Sequence, residues 1–233
     1  MRFVSAFFLL LLSLSAYASP PLTTDDAGVI DKGGVELDSY YHRQSERQTA
    51  TVSGLHLQSN AGIGFNTQLG VAVDALRQND TNFGGRKSSG EYALAGKTRI
   101  KPLTDNDYGI AIGYSADRTR APGNKFRYDN AAAYGVVSVP SDHWLFHANL
   151  GWQRSRLAAT TATTWGLAAE RTSAIGAIDL AVETYGDDHT PAWLKVSARW
   201  NVVKNKFFFD TSYAAQLSGT RARLLTFGAN LMF

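Results

Sequence analysis

The sequence contains no cysteine, few prolines and, after its first residues, no long apolar run. The chain has 233 residues, of which 6 are Pro and none is Cys. The lack of cysteine excludes a disulfide scaffold, a thiolate zinc site and a cysteine nucleophile. A mean hydropathy of −0.19, with no further run of about 18 apolar residues, excludes a helical multispan membrane protein.

A strong charge of one sign is also lacking. The chain has 23 Lys and Arg residues against 20 Asp and Glu residues, which gives a net charge of +3. A dedicated nucleic-acid-binding domain usually carries a clustered basic face, so we expect no nucleic-acid partner. Aromatic residues make up 12% of the chain, which argues against a disordered protein.

The first residues have the pattern of an export signal. Arg2 precedes the apolar run Phe3–Leu14, and Ala16-Tyr17-Ala18 supplies the small residues of a cleavage site. The apolar run is short for a membrane span, so a membrane anchor is the weaker interpretation. The sequence therefore predicts an exported protein with a signal peptide at residues 1–18, cleaved after Ala18.

Along the mature chain, apolar and polar residues alternate with a period of two, which predicts strands with one apolar face. In Thr67–Ala75, for example, Leu69, Val71 and Val73 fall on one face. Ala131-Ala132-Ala133 fit either face of their segment, so the facing of that segment stays open. The twelve predicted strands are Val35–Tyr41, Thr51–Ala61, Thr67–Ala75, Tyr92–Ile100, Tyr108–Ser115, Tyr128–Val139, Trp144–Gln153, Thr163–Glu170, Ile178–Thr184, Leu194–Val202, Phe207–Gln216 and Leu225–Phe233.

Short connectors alternate with longer polar ones. The short ones are Ala61–Phe65, Pro102–Asp107, Pro140–His143, Arg171–Ser173 and Val203–Lys206. The longer ones are His42–Ala50, Arg77–Ser89, Ala116–Phe126, Arg154–Ala162, Tyr185–Pro191 and Ser218–Ala222. This alternation and the even strand count are typical of outer-membrane proteins. The sequence predicts an all-β fold at residues 35–233: a transmembrane antiparallel up-and-down β-barrel of about 12 strands in the outer membrane of a Gram-negative bacterium.

A secreted β-sandwich, or a smaller barrel with an apolar core, is the structural alternative. Two features favour the membrane barrel. Aromatic residues near the ends of the apolar faces match the girdles of such barrels, and they are Tyr108, Trp144, Trp152, Trp165, Trp200 and Phe207. The last strand ends in Phe233, which resembles the C-terminal signal of bacterial outer-membrane proteins. Expected partners are outer-membrane lipid and lipopolysaccharide, and the barrel-assembly machinery through Phe233.

Two of the short turns fix the register of their hairpins. The turns are centred on Thr104 and on Lys204–Asn205. The predicted cross-strand pairs are Ile100 with Tyr108, Thr98 with Ile110, and Arg199 with Asp210. The first two pairs would lie on the apolar face, and the third would place opposite charges across from each other, which stabilises a strand pair.

The start of the mature chain carries a resemblance. Pro20-Pro21-Leu22-Thr23-Thr24-Asp25-Asp26-Ala27-Gly28, followed by Lys32-Gly33-Gly34-Val35-Glu36-Leu37, resembles the opening of the "MetA-pathway of phenol degradation" transporter-like family. The resemblance covers Pro20 to about Tyr41. Members of that family are outer-membrane barrels thought to help hydrophobic or aromatic compounds cross the membrane. The resemblance implies a channel or transporter for small hydrophobic or aromatic solutes.

The residues of this motif also predict a turn. Asp side chains bond nearby backbone groups and Gly permits positive φ. We expect a turn that caps the barrel mouth, within a periplasmic N-terminal segment at residues 19–34. A cation site is the alternative, but two adjacent carboxylates are too few ligands for Ca²⁺, so no metal is predicted. The residues of the turn are Thr24, Asp25, Asp26, Ala27 and Gly28.

A lipid-modifying outer-membrane enzyme is the functional alternative, and a structural barrel with a plugged lumen is a third. His56 and Ser59 superficially resemble a deacylase segment, but three residues apart on a strand they face opposite sides. His147 faces inward, but Ser141 and Ser155 lie beyond the two ends of its strand. No G-x-S-x-G, H-E-x-x-H or phosphate-binding loop is present. We therefore predict no catalytic residue and no cofactor.

The polar faces of the strands would line the lumen. Their charge looks mixed, with acids and bases close to balance, which suggests salt bridges across a narrow pore. Gly109, Ala111 and Gly113 leave space for a passage or a ligand, or they accommodate long neighbouring side chains. The candidate pore residues are Asp74, Glu91, Lys97, Arg99, Asp179, Glu183, Lys195, Arg199 and Asp210.

Overall fold

The structure is a computed structural model that describes residues 22–46, 50–80, 85–120 and 123–233. The predicted signal peptide at residues 1–18 lies outside the described residues and stays a prediction. Among the described residues, no helix is long and apolar enough to cross a membrane.

The described chain forms twelve strands that close into one antiparallel barrel. Each strand pairs with its neighbours in sequence, and β1 pairs with β12. This confirms the predicted fold class. The strands are β1 Val35–Ser45, β2 Ala50–Gly64, β3 Thr67–Asp80, β4 Gly85–Lys101, β5 Gly109–Arg120, β6 Arg127–Ser141, β7 Trp144–Ser155, β8 Thr160–Ile175, β9 Ile178–Asp187, β10 Trp193–Val203, β11 Phe207–Gln216 and β12 Arg223–Met232.

The apolar face of each strand points outward and the polar face points inward. Leu94 and Leu150 are 65% and 66% exposed, whereas the charged side chains of Lys97 and Glu183 are 7% and 1% exposed. Polar groups inside and apolar groups outside fit a barrel surrounded by lipid, and they exclude a sandwich with an apolar core.

The facing of β6, which the sequence left open, follows from its partner. Ala132 lies opposite the inward Gln153, and Ala133 lies opposite the outward Trp152. Further along β6, Val136 and Ser138 are buried inside the barrel. Register with β7 therefore settles a choice that three consecutive alanines could not make.

Strands extend further than predicted at the end with the longer connectors. β1 continues to Ser45, β3 continues to Asp80 and β4 already begins at Gly85. The predicted loops His42–Ala50 and Arg77–Ser89 are therefore largely strand. At this end the outward residues are polar, because a strand that projects beyond lipid needs no apolar face. Apolar and polar residues therefore do not alternate there, and the pattern did not predict these strands.

One predicted register is confirmed and the other is wrong. Arg199 lies opposite Asp210, as predicted. Thr98, however, lies opposite Ile112 rather than Ile110, and Ile100 does not pair with Tyr108. The turn after β4 is centred on Asp105–Asn106 rather than on Thr104, because Thr104 forms a bridge with Asp107 and Lys101 lies opposite Ile110. A bulge between Arg99 and Lys101 then shifts the register by one residue and places Thr98 opposite Ile112.

Candidate functional site

The N-terminal segment lies inside the barrel and crosses its lumen. We call residues 23–30 the plug. Its backbone N–H groups bond to three parts of the wall: Thr24 donates to Glu183 Oε2 at 2.6 Å, Ala27 to Ser138 Oγ at 2.8 Å and Ile30 to Gln68 Oε1 at 2.9 Å. These acceptors stand on β9, β6 and β3. The plug is therefore tied to widely separated strands of the wall.

Two lysines hold the acidic and hydroxyl side chains of the plug. Lys97 Nζ lies 2.8 Å from Asp25 Oδ1 and 3.3 Å from Asp26 Oδ1. Tyr134 donates its hydroxyl to Asp25 Oδ2 at 2.8 Å. Lys195 Nζ donates to Thr23 Oγ1 at 2.9 Å and lies 3.0 Å from Glu183 Oε1.

The pKa values of the two acidic residues of the plug, Asp25 and Asp26, are shifted in opposite directions. Burial raises the pKa of the Asp25 carboxyl above its ordinary value, even though Lys97 opposes the shift. The charge of Lys97 lowers the pKa of the Asp26 carboxyl, whose side chain is 52% exposed. Asp26 therefore stays ionised to lower pH than Asp25.

Glycines on the lumen face make room for the plug. A Cβ on Gly166 would lie 2.6 Å from Thr24 Oγ1, and a Cβ on Gly62 would lie 2.4 Å from the carbonyl oxygen of Ile30. Side chains at these positions would collide with the segment, so the wall is shaped for it.

The sequence did not anticipate these contacts. It assigned Thr24, Asp25, Asp26, Ala27 and Gly28 to a turn at the barrel mouth, within a periplasmic segment at residues 19–34. The local turn is present, since Gly28 N–H donates to Asp26 Oδ1 at 2.6 Å. The surroundings differ, because the plug lies among lumen-facing side chains of the wall. The motif sequence alone carries no signal for this, since its wall partners come from distant strands.

Among the predicted lumen residues, Arg199 pairs with Asp210, and Asp74 contacts a histidine. Arg199 Nε lies 2.8 Å from Asp210 Oδ1, and Arg199 Nη2 lies 3.1 Å from Asp210 Oδ2. Asp74 Oδ2 lies 2.8 Å from Nδ1 of His56, directly across β2 and β3. His56 lies inside the barrel, opposite in facing to Ser59, as predicted.

Two other predicted lumen residues lie at the end with the short turns. Arg99 Nη2 donates to Asn66 Oδ1 at 3.0 Å. Asp179 accepts from the Ser173 backbone N–H at 2.7 Å and from Asn201 Nδ2 at 2.7 Å. Both side chains face inward near the rim of the barrel, where they support neighbouring turns.

A chain of neutral amides, absent from the prediction, crosses the seam between the first and last strands. Asn60 Nδ2 donates to Glu36 Oε2 at 3.2 Å, and Asn230 Nδ2 donates to Glu36 Oε1 at 2.6 Å and also to Asp38. Gln58 continues the chain by donating to Asn60 Oδ1 at 3.0 Å. Only barrel closure brings Asn230 to these partners, so sequence spacing carries no signal for the network.

The charge of the lumen is acidic rather than balanced, which corrects the prediction. Over the described strands, the inward acidic residues are Glu36, Asp38, Asp74, Glu91, Asp117, Asp129, Glu170, Asp179, Glu183 and Asp210. The inward basic residues are Lys97, Arg99, Lys195 and Arg199, with Lys87 and Arg127 at strand ends beside the longer connectors. The prediction missed Asp117 because it assigned that residue to a loop, and it missed Asp129 and Glu170 at the margins of weak strands.

The small residues of β5 accommodate neighbours and leave no passage there. A Cβ on Gly113 would lie 2.1 Å from Cζ of Tyr134, and a Cβ on Gly109 would lie 2.7 Å from Cβ of Leu103. Ala111 is fully buried beside Ala27 and Val136. The structure therefore favours the interpretation that Gly109, Ala111 and Gly113 accommodate neighbouring side chains.

Among the cavities lined by described residues, two border the plug, one on each side. A cavity of about 300 Å³ lies towards the short-turn end, beside Asp26, Glu36, Lys97, Glu170 and Arg199. A smaller one of about 60 Å³ lies towards the longer connectors, beside Tyr134, Gln153 and Tyr185. Thr24 lines both cavities. The plug therefore lies between these two cavities.

A Ser–His–Glu arrangement anchors the plug. Ser138 Oγ lies 2.8 Å from His147 Nδ1, and His147 Nε2 lies 3.8 Å from Glu170 Oε2. The prediction missed Ser138, which strand pairing places directly opposite His147. A nucleophile must be open to its substrate, but Ser138 is fully buried and its Oγ accepts the Ala27 N–H. Among the described residues, no group of three or more metal-ligating side chains is placed to hold a metal ion.

A family model and several solved structures match the chain. The family is described as "Uncharacterised conserved protein UCP029691", and its model matches residues 6–233. The comparison with curated proteins gives no match. The KdgM porin in complex with disordered oligogalacturonate has 12% identity and a TM-score of 0.60, over 85% of this chain and 99% of the porin.

Two further structures have the same overall fold. The COG4313 outer membrane channel from Pseudomonas putida F1 has 11% identity and a TM-score of 0.65, over 89% of this chain and 98% of the channel. The translocator domain of autotransporter NalP from Neisseria meningitidis has 11% identity and a TM-score of 0.56, over 99% of this chain and 97% of that domain. At these identities the likeness shows the fold alone. This chain has the channel-like barrel fold of Gram-negative outer-membrane proteins.

Proposed function

The chain belongs to the family described as "Uncharacterised conserved protein UCP029691", and from this starting point we propose that it is an outer-membrane channel for small solutes. The plug closes its lumen and moves to open it. The observation that supports this function is the plug itself, a chain segment tied across the interior of a channel-like barrel.

The bonds that hold the plug are suited to reversible release. Its wall contacts are hydrogen bonds and ion pairs around Lys97, Glu183, Ser138 and Gln68. Such groups find replacement partners in water, so their net contribution to closure is modest, about 1–3 kcal/mol each. The barrel wall, by contrast, is a continuous hydrogen-bonded sheet without an edge. The plug therefore opens at far lower cost than the barrel.

The solutes we propose are small hydrophobic or aromatic compounds, in line with the resemblance of the N-terminal motif to the phenol-degradation transporter-like family. Tyr134 and Tyr185 beside the smaller cavity offer aromatic surface to such a solute. The proposed setting is the outer membrane of a Gram-negative bacterium, with the short turns in the periplasm and the longer connectors outside. Phe233 would present the C-terminal strand to the assembly machinery.

Conductance in planar bilayers tests the channel and its closure together. Lys97→Met removes the cation that holds Asp25 and Asp26, so we expect more frequent and longer openings than in the full-length wild type. Lys101→Met is the matched control, because Lys101 pairs with Asp107 at a turn outside the lumen.

The result also separates the alternatives. Equal conductance in the two variants would contradict closure by the plug. No conductance in any variant would favour a structural barrel with a plugged lumen. Labelling of Ser138 by a fluorophosphonate probe in the folded protein would favour the lipid-modifying enzyme.

A further inference from the structure

We infer that the lumen selects small organic cations, solutes that carry an ammonium or guanidinium group, over neutral and anionic solutes of the same shape. This inference rests on the proposed channel function and names its substrate class. It starts from a contrast between the whole chain, which has a net charge of +3, and the lumen face, where acidic side chains outnumber basic ones.

The acids form an arc above the plug, on four adjacent strands. Asp74, Glu91, Asp117 and Asp129 stand on β3, β4, β5 and β6. Neighbouring strands lie about 4.8 Å apart, so the arc spans roughly 14 Å of the wall. We call these four residues the acidic arc. It lies on the long-connector side of the plug, towards the strand ends that the proposed orientation places outside.

Like charges face each other directly within the acidic arc. Asp74 lies opposite Glu91, and Glu91 in turn lies diagonal to Asp117, since Ala93 is the residue opposite Asp117. Directly opposed like charges destabilise a strand pair. His56 partly compensates Asp74, whereas among the described residues Glu91, Asp117 and Asp129 have no ion-pair partner. The arc therefore lacks positive charge.

The nearest lumen-facing bases do not supply that charge. Lys87 lies opposite Gln78 and Arg127 lies opposite Thr119, both near the ends of their strands, and both are exposed to solvent. Lys97 and Lys195 lie at the plug and are already paired. A cationic solute is what the arc would accept.

A second observation, independent of charge, points to a missing hydrogen-bond donor. Asn130 is only 3% exposed, and its Oδ1 has no hydrogen-bond partner. Its Nδ2 and its backbone N–H both approach Asp117 Oδ1 at 3.1 Å, which places the amide beside that carboxylate. A buried acceptor without a donor is unusual and calls for an explanation. An N–H group of a bound cation would satisfy Asn130 and Asp117 together.

The larger cavity, on the short-turn side of the plug, is also lined by acidic side chains. Glu36, Glu170 and Asp26 line this cavity of about 300 Å³. Its two bases are engaged, Lys97 with the plug and Arg199 with Asp210. Thr24, which lines both cavities, is 2% exposed, and its Oγ1 has no hydrogen-bond partner. A cation that passes the plug would therefore meet acceptors on both sides.

The geometry favours an organic cation over a metal ion. Among the described residues, no three carboxylate or imidazole groups converge as metal ligands. The carboxylates of the arc are instead spread along the wall, where an ammonium or guanidinium group with several N–H donors can reach one or two of them at a time.

Three solutes of similar shape and different charge test the inference: 2-phenylethylammonium, 2-phenylethanol and 3-phenylpropanoate. Their flux is measured in proteoliposomes with full-length wild type and with Gly166→Val. The valine carries no charge and opens the channel by colliding with Thr24. We expect the cation to pass about tenfold faster than the anion, since a cleft of one sign concentrates its counter-ion by at least that factor.

A variant without two charges of the acidic arc tests whether the arc causes the cation preference. Glu91→Gln with Asp117→Asn, in the Gly166→Val background, should abolish most of the preference. The variant should fold, because it relieves repulsion between like charges. Asp142→Asn is the matched control: Asp142 is exposed in a turn outside the lumen, and its positive φ of 56° suits Asn as well.

The outcomes separate the inference from the proposed function. Equal flux of the three solutes, or an equal effect of Asp142→Asn, overturns cation selection and leaves the channel in place. No flux of any solute overturns the channel. Binding then decides the inference: 2-phenylethylammonium should raise the unfolding temperature of the wild type but not of the Glu91→Gln, Asp117→Asn variant, and the absence of this difference overturns it.

Discussion

At the residue scale, the pair of Arg199 and Asp210 shows how a local pattern becomes a lumen contact. A turn on Lys204–Asn205 brings the two side chains across from each other, and the structure joins them by two hydrogen bonds. Their side chains are 21% and 3% exposed, so loss of one partner leaves the other charge poorly solvated.

Asp210→Ala should therefore lower the stability of the barrel by about 1–3 kcal/mol. Arg199→Ala should do the same, and the double variant should cost less than the sum of the two, because the charges are removed together. The measurement is the temperature at which the folded band disappears on gels run without boiling. Strict additivity would show that the pair contributes no coupling.

The plug acids make a prediction about pH. The pKa of Asp25 is raised by burial, so this residue loses its charge first as pH falls. The pKa of Asp26 lies below its ordinary value of 3.8 because of Lys97. A carboxyl group with a lowered pKa stabilises the closed state above its ordinary pKa, and this contribution is lost as pH falls further. Asp26 is therefore the last acid to hold Lys97.

Asp26→Asn should consequently open the channel more at neutral pH and make its opening less sensitive to acid. The variant lacks the carboxylate whose protonation weakens the hold on Lys97, whereas protonation of Asp25 favours the closed state, in which burial raises its pKa. Bilayer conductance recorded over descending pH should start higher in the variant and rise less than in the wild type below the ordinary carboxyl pKa of 3.8. Asp142→Asn, outside the lumen, should follow the wild-type curve. Coincident curves for all three proteins would show that Asp26 does not hold the plug.

At the scale of the element, the C-terminal strand completes the barrel. β12 pairs with both β11 and β1. Beyond its end, Phe233 N–H donates to the Val35 carbonyl at 2.8 Å, and Val35 N–H donates to the Phe233 carbonyl at 3.1 Å. An open edge would leave backbone groups without partners in lipid, at several kcal/mol per group.

Deletion of Phe233 should lower the yield of folded barrel. It removes both bonds to Val35, and it removes the terminal aromatic residue that we expect the assembly machinery to recognise. The folded fraction is the proportion of protein that runs as a heat-modifiable band in isolated outer membranes. Met232→Leu keeps the chain length and the terminal Phe and serves as the control. Unchanged yield after the deletion would contradict a role in assembly.

At the scale of the whole molecule, the predicted signal peptide and the plug lie at the same end of the chain. If the signal peptide is cleaved after Ala18, only a few residues separate the new N-terminus at Ser19 from the plug, which begins at Thr23. An uncleaved leader would have to leave the lumen or remain inside it with the plug. Cleavage is therefore expected to precede closure.

Intact-mass measurement of protein extracted from outer membranes should give a chain that begins at Ser19. Replacing Ala16 and Ala18 by bulky residues should delay cleavage, because the cleavage site requires small side chains. Mature wild-type material that retains Met1 to Ala18 would contradict the predicted signal peptide.

The sequence by itself determined the class of fold, and the physical reason is local. A strand exposes alternate side chains to opposite sides. The apolar pattern of a single segment such as Thr67–Ala75 therefore shows which of its side chains face lipid and which face the lumen. The twelve strands, the even count and the Arg199–Asp210 register all follow from spacing within one or two neighbouring strands. The Thr98 register was wrong because the turn is centred on Asp105–Asn106 rather than on Thr104, and the apolar pattern carries no signal for the centre of that turn.

Only the tertiary structure decided what fills the lumen. Closure of the barrel places Asn230 beside Glu36, and chain reversal at Gly33 and Gly34 carries the plug to Glu183 and Ser138. These contacts join residues more than a hundred positions apart, which periodicity along the chain does not encode. The sign of the lumen charge also depends on such placement, because Asp117 became a lumen residue only when β5 extended past the apolar band, and Asp129 faces inward at the margin of β6. The strands of the wall therefore follow from local patterns in the sequence, whereas the contacts inside the lumen form only when the barrel closes.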